Sequence, residues 1–325
     1  MKKHMLLGAL AVLAVGAAPA AQAESFRLLN SWDANFPATK VITVPYMDAV
    51  KAASNGAITI TMSGPETVPA FEQFQPLQSG AFQLLMSHGA YHYGAFGMGL
   101  AGDAFKSDSA ARRTTGVFQA LDEAYQKKGL KLIAMPMHKE GYQFIMRKGL
   151  PADGDLKGMK VRTTPGYLAI INAFGGVPVT LPPGEVYSAL QKGVVDGAAW
   201  PTIGVLSFRW YEVANTLVRP TFGNSTYLLF MNLEAFKKLD AAKQKIMLDA
   251  GEKIERDAQA TFTKLTQDEE KELLAKGMKI ARFADKHAAQ IEKLLADGVW
   301  GLVEKKEGDA GKAFRAFVLS KGMTN

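Results

Sequence analysis

Arg162 lies in the stretch MKVRTTPG, residues 159–166, where apolar Met159 and Val161 alternate with polar neighbours ahead of a Thr-Thr-Pro-Gly turn. The alternation reads as a strand, which places a permanently charged guanidinium at its carboxyl end. In open α/β sheets, ligands bind beyond the carboxyl ends of strands. An arginine fork matches a carboxylate bidentately. For an arginine taken alone, a solvated strand end is the plainer alternative. Other residues fall at comparable places. Trp200 ends VVDGAAW, and His88, Tyr91 and Tyr93 follow the apolar run FQLLMS. One fixed cation among converging aromatics describes a pocket for a small organic anion.

Competing chemistries find less support. GMGLAG, residues 97–102, matches G-x-G-x-x-G, but no strand leads into it and no helix opens within it, as a dinucleotide site requires. His88 and His92 have the i, i+4 spacing of metal ligands, yet they follow a strand and no third ligand is near in sequence, so hydrogen-bonding roles are expected and no metal. The sequence contains no Walker loop, G-x-S-x-G elbow or H-E-x-x-H. No cofactor is expected.

The elements that must position these residues alternate. The patterns predict strands over 26–29, 57–62, 82–87, 129–137, 141–149, 158–163, 177–182, 194–200 and 226–232, and helices over 41–53, 71–79, 109–127, 167–174 and 185–192. After 232 the pattern is almost wholly helical. Asp240 reads as the N-cap of a helix over 241–276, roughly 50 Å long if unbroken, with a break near Gly251 as the alternative. Alternating strands and helices imply an α/β fold with mainly parallel sheets. PAFEQFQPLQSGAFQLLMSHGAY and PPGEVYSALQKGVVDGAAWPTI share one plan of turn, short helix and buried strand, as expected of two like lobes.

Residues 1–23 have two lysines, an apolar run and a small-x-small end, which reads as a secretory signal peptide cut before Glu24. The expected location is the periplasm, with no membrane insertion after cleavage. The remainder, roughly 300 residues, is enough for two ordinary cores, which matters in a chain without cysteine. Net charge is +7. No basic stripe is interleaved with aromatics, so no nucleic-acid partner is expected.

The segments DLKGMKVRTTPG and FGGVPVTLPPGEVYSALQKGVVDGAAW closely resemble the signature of TRAP (tripartite ATP-independent periplasmic) transporter solute-binding proteins. Element order, leader and helical tail extend the resemblance over the mature chain. It implies a two-lobed binding-protein fold with crossing strands and a long helix spanning both lobes. Lobe 1 would comprise 24–147 plus about 231–275, and lobe 2 148–230 plus about 276–325. It also implies a receptor that closes on an organic acid and delivers it to TRAP membrane subunits. Arg162 would pair with the ligand carboxylate, Trp200 would line the site, and Glu185 and Asp196 would serve structure. VPAFEQFQPLQSG resembles a branch binding 2-oxo or 2-hydroxy acids, some with a metal held partly by an acidic residue before the strand-end tryptophan. Here that residue is Ala199. Where other members carry a second arginine, spacing places Tyr142, beside Gln143. A monocarboxylate is therefore expected, aromatic or 2-oxo/2-hydroxy, with Trp32, Phe71 and Tyr227 also near the cleft. The alternative is an exported lyase or hydrolase, for which the cleft histidines would have to supply the base.

Overall fold

A computed structural model of the protein describes residues 23–106 and 108–324. The leader over 1–23 lies, apart from Ala23, outside the described residues. Among those residues no helix is long and apolar enough to cross a membrane.

Twelve strands form two six-stranded sheets. They are β1 (Glu24–Asn30), β2 (Ile58–Ser63), β3 (Leu84–His88), β4 (Leu130–Ala134), β5 (Met137–His138), β6 (Tyr142–Met146), β7 (Lys160–Thr163), β8 (Val177–Thr180), β9 (Gly197–Pro201), β10 (Thr216–Arg219), β11 (Ser225–Asn232) and β12 (Lys279–Arg282). The first sheet runs β2-β1-β3-β11-β4, with β5 on β11; the second runs β12-β10-β6-β9-β7-β8. β1 pairs in parallel with β2 and β3, β7 with β8 and β9, and β10 with β12. The chain crosses between sheets before β6 and before β11, and these two strands pair antiparallel with their neighbours. Each sheet is thus mixed, with parallel pairs built around an antiparallel crossing strand.

The crossing points fall close to the expected lobe boundaries. β6 belongs to the second sheet and β11 to the first, so the chain leaves the first sheet before 142 and is back in it by 225. The tail differs from expectation. β12 adds a strand where only helix was read, on the edge of the second sheet. The tail touches elements of both sheets' halves. In helix Ile291–Glu307, Gly298 packs against Ala169, while Glu307 accepts from Gly97 N (2.6 Å). Lys106 N donates to Met323 O (2.8 Å), which returns the C-terminus to lobe 1.

The long helix is continuous over Ala241–Ala275, capped by the Asp240 carboxylate on Lys243 N (2.8 Å). Gly251 does not break it. A Cβ there would fall 2.7 Å from Ile133 O, so glycine lets the helix lie directly on β4. Glu269 accepts from Gly204 N and Leu206 N (3.0 Å each), tying the far end to lobe 2. The helix expected over 109–127 is split at Gly116, whose φ of +83° is left-handed.

Candidate functional site

The two related halves end their buried strands facing one another. β3 delivers His88 from lobe 1, and β9 delivers Trp200 from lobe 2. Ala198 pairs with Arg162 across β9 and β7. Trp200, two residues on, therefore shares its face, and the Arg162 guanidinium lies 4.9 Å from the Trp200 ring centroid. Tyr227 pairs with His88 across β11 and β3. Together with Trp32, Tyr91, Tyr142, Thr164, Tyr167, Pro201 and Ser225, these side chains enclose a chamber with about 270 Å³ of empty space. All of its lining residues are buried.

Arg162 is 1% exposed. Its Nε donates to Leu181 O (3.0 Å) and its Nη1 to Ala199 O (3.1 Å), while Nη2 has no partner. No carboxylate pairs with it among the described residues. Burial lowers its pKa, so the fold holds a cation whose counter-charge must come from elsewhere. Four other buried polar atoms on the same wall are unpartnered: Trp32 Nε1, Thr164 Oγ1, Ser225 Oγ and Tyr227 OH. The Tyr91 hydroxyl lies beside both Trp32 and Arg162; Arg162 eases its ionisation, yet burial prevails and pushes it up to about 12. Burial likewise raises the Tyr142, Tyr167 and Tyr227 hydroxyls. The chamber is rich in donors and carries one fixed positive charge.

His88 holds the lobes together. Its Nδ1 accepts from Ala90 N (3.1 Å), so the proton on Nε2 faces Asp103 Oδ1 (3.1 Å) and Tyr142 OH (3.0 Å) of the opposite sheet. Beside this bond, Phe36 of lobe 1 stacks on Phe208 of lobe 2 (5.4 Å, 19°) and meets Trp200 edge-on (6.0 Å). Gly204, at φ +104°, makes room for it; a Cβ there would sit 2.6 Å from Phe36 Cε2.

The expected site residues separate into two groups. Arg162, Trp200, Tyr142, His88, Tyr91, Trp32 and Tyr227 line the chamber. Tyr93, Phe71 and Gln143 do not. The Tyr93 hydroxyl donates to Leu302 O (3.1 Å), Phe71 backs Tyr91 (5.1 Å), and Gln143 Oε1 accepts from Arg219 Nη1 (2.7 Å). Thr164, Tyr167 and Ser225 were missed, although the first two follow Arg162 in the same turn and Ser225 shares the face of Tyr227 by strand alternation. Asp103 gave no signal.

The remaining motifs resolve structurally. His92 is buried between Phe74 and Tyr125, bonds the Tyr125 hydroxyl (2.6 Å), and is lowered by burial to a pKa of about 3. It thus serves a network separate from that of His88. Among the described residues no three His, Cys, Asp or Glu side chains converge as a metal site. GMGLAG falls at a buried 3₁₀ segment, Met98–Ala104, whose glycines admit close neighbours; a Cβ on Gly99 would meet Tyr125 OH at 1.9 Å. Asp196 bonds Lys160 N (2.8 Å) at the start of β7, a structural role.

The profile of the bacterial extracellular solute-binding proteins, family 7, matches residues 30–300. The ectoine-binding periplasmic protein of Halomonas elongata is 31% identical over 131 residues, covering 39% of this chain and 38% of that one. The chain spans about half the length of other curated relatives that it matches. A Bordetella pertussis extracytoplasmic solute receptor binding pyroglutamic acid superposes with a TM-score of 0.79 at 20% identity, over 91% of this chain and 99% of that one. A TRAP periplasmic solute-binding protein from Desulfovibrio salexigens with bound orotic acid gives 0.80 at 21%, over 91% and 98%.

Proposed function

Because the chain belongs to family 7 of the bacterial extracellular solute-binding proteins, the DctP-type TRAP receptors, we propose that it captures a small monocarboxylate in the interlobe chamber. It does so in the periplasm and hands its ligand to a TRAP membrane permease. Proteins of this family are transport receptors rather than enzymes, so the lyase or hydrolase alternative falls away. The observation that carries the ligand reading is Arg162: buried, unpaired, and with Nη2 open beside the chamber. A carboxylate supplies the missing charge and the acceptor together.

One carboxylate fits better than two. Arg162 is the sole charged residue lining the chamber among the described residues. Asp103, behind His88, has the wrong sign for a second acid group. Tyr142 stands where the resemblance places a second arginine in other members. Rings on most sides of the chamber suit a planar or cyclic acid. Two of the structural neighbours hold compact cyclic carboxylates, pyroglutamate and orotate. Arg162 already balances one carboxylate and Ala199 offers no side-chain oxygen, so binding needs no metal.

A thermal-shift screen of mono- and dicarboxylates, repeated after exhaustive chelation, tests this reading. A matching acid at 100 times its Kd stabilises the protein by about 2.7 kcal/mol, with or without chelator. Stabilisation by dicarboxylates alone, or its loss on chelation, would refute the reading.

A further inference from the structure

The long helix grips each lobe with one buried carboxylate. Glu255 accepts from Met135 N (2.5 Å), just past β4, and pairs with Arg113. Glu269 accepts from Gly204 N on Oε2 and from Leu206 N on Oε1, both at 3.0 Å. The two positions differ by 269 − 255 = 14 residues, almost four turns of helix and about 21 Å along it. They therefore leave nearly the same side of the helix. Glu255 is 3% exposed and Glu269 7%. Glu255 has a cation beside it. Glu269 has none; backbone N–H groups alone answer its charge, and burial raises its pKa against them. A buried carboxylate without a cation is a costly way to hold a turn, so what that turn carries matters.

It carries an aromatic wall of the chamber. Ile203 O accepts from Trp200 Nε1 (3.1 Å), Gly204 O from Phe208 N (3.0 Å), and Val205 O from Trp210 N (2.9 Å). The three rings so fixed pack on one another. Trp200 meets Phe208 (5.6 Å) and Trp210 (5.0 Å) edge-on, and Phe208 stacks on Trp210 (5.5 Å, 22°). Trp200 in turn lies 4.9 Å from the Arg162 guanidinium, and Phe208 stacks on Phe36 of lobe 1. The orientation of the Trp200 ring is thus set by a bond to the turn, and the position of the turn by Glu269.

We propose that Glu269 is a positioning residue of the chamber: by clamping Gly204 and Leu206 it holds the Trp200 ring against Arg162, from a helix whose other carboxylate is rooted in lobe 1. This rests on the reading of the Arg162 chamber as the binding site. Glu269 touches no chamber atom itself and acts through the turn. Each of its oxygens takes one N–H, so the clamp needs both. Glu269→Gln keeps the shape but sets an amide N–H against one of the two donors, and one arm of the clamp is lost.

The test reads nitrogen-15 spectra of the full-length mature protein without ligand. In Glu269→Gln the Trp200 indole N–H should shift, and so should the Arg162 Nε–H, which donates to Leu181 O within reach of the Trp200 ring current. The Trp300 indole, bonded to Thr324, should hold. Glu272→Gln, on the same stretch of helix, should move none of the three. Calorimetry with pyroglutamate and orotate should show the acid that binds weakened by about two- to tenfold in Glu269→Gln. Hydrogen exchange of the wild type supplies a check that needs no variant: the Gly204 and Leu206 amides and the Trp200 indole should open as one unit, with protection factors within about threefold of each other. An unmoved Trp200 or Arg162 signal, an undiminished affinity, or a Trp200 indole that exchanges independently of the two amides would each overturn the inference. If the wild type binds neither acid while both signals shift and the exchange is shared, the positioning stands and the choice of a compact cyclic acid fails.

Discussion

Replacing Arg162 with methionine separates an anchor from a structural residue. Methionine keeps an unbranched stem near Trp200 and removes the charge, the two bonds to Leu181 O and Ala199 O, and the open Nη2. For the bound state, a ligand carboxylate left buried without its partner costs about 2–5 kcal/mol. At 1.4 kcal/mol per tenfold, that is roughly 30- to 4,000-fold in Kd. For the empty protein the terms oppose each other. Two carbonyls lose charge-assisted bonds worth about 1.5–3 kcal/mol each, while a buried cation without a counter-charge, whose burial costs several kcal/mol, disappears. The ligand-free melting temperature should therefore change little. Arg162→Lys restores a charge without the fork and should recover only a small part of the affinity. Calorimetric titration gives Kd, and scanning calorimetry without ligand gives stability. Binding by Arg162→Met within about threefold of wild type would refute the argument. So would a loss of affinity that follows a large fall in ligand-free stability.

Two further outcomes follow from the geometry. Gly204→Ala places a Cβ 2.6 Å from Phe36 Cε2 at φ +104°, so it should destabilise the closed form by about 1–3 kcal/mol; small-angle scattering should show less ligand-induced compaction, and unchanged compaction would count against Phe36 as a closing contact. His92 and His138 are lowered by burial to about 3, so below pH 6.5 the unfolded chain takes up protons that the folded one refuses. Stability is full above 6.5 and falls as pH drops toward 3, by up to about 5 kcal/mol per histidine at the limit. His92→Gln should lose less stability than wild type between pH 7 and 4 in denaturant titrations, and equal losses would refute the assignment.

The sequence carried the site to the extent that the site obeys strand periodicity. Arg162, Trp200 and His88 were legible because each ends a short apolar run, and strand ends are where α/β sheets present ligands. Tyr142 and Tyr227 came into view only beside the family resemblance, since both lie inside strands whose partners are distant in sequence. Gln143 and Tyr93 look equivalent to their neighbours in sequence; only tertiary partners, Arg219 and Leu302, draw them away. β10 and β12 were missed for a similar reason. Both are four residues long, and β12 alternates weakly on an exposed edge, so its strand state comes from pairing with β10 rather than from its own pattern. Which sheet β6 and β11 join was not legible, because a strand's sequence does not record its neighbours.

The unpartnered atoms of the chamber explain why closure should wait for ligand. With the lobes apart, Arg162, Trp32, Thr164, Ser225 and Tyr227 can bond water. In the closed form all five are buried without a well-formed protein hydrogen bond. Each buried polar atom left unpaired costs about 1–3 kcal/mol, a penalty that opposes closure without ligand. A ligand that satisfies Arg162 and its neighbours removes the penalty only when the lobes meet, and a ligand shifts such a balance only by that differential affinity. The His88–Tyr142 bond and the Phe36 contact then set how far closure goes, while the orphaned donors decide which acid can trigger it. On this account Tyr142→Phe, which loses a bond of about 0.5–1.5 kcal/mol in the closed form alone, weakens every ligand by up to about tenfold and leaves their ranking intact. A reordered ranking would show that Tyr142 reads the ligand rather than the lobe opposite.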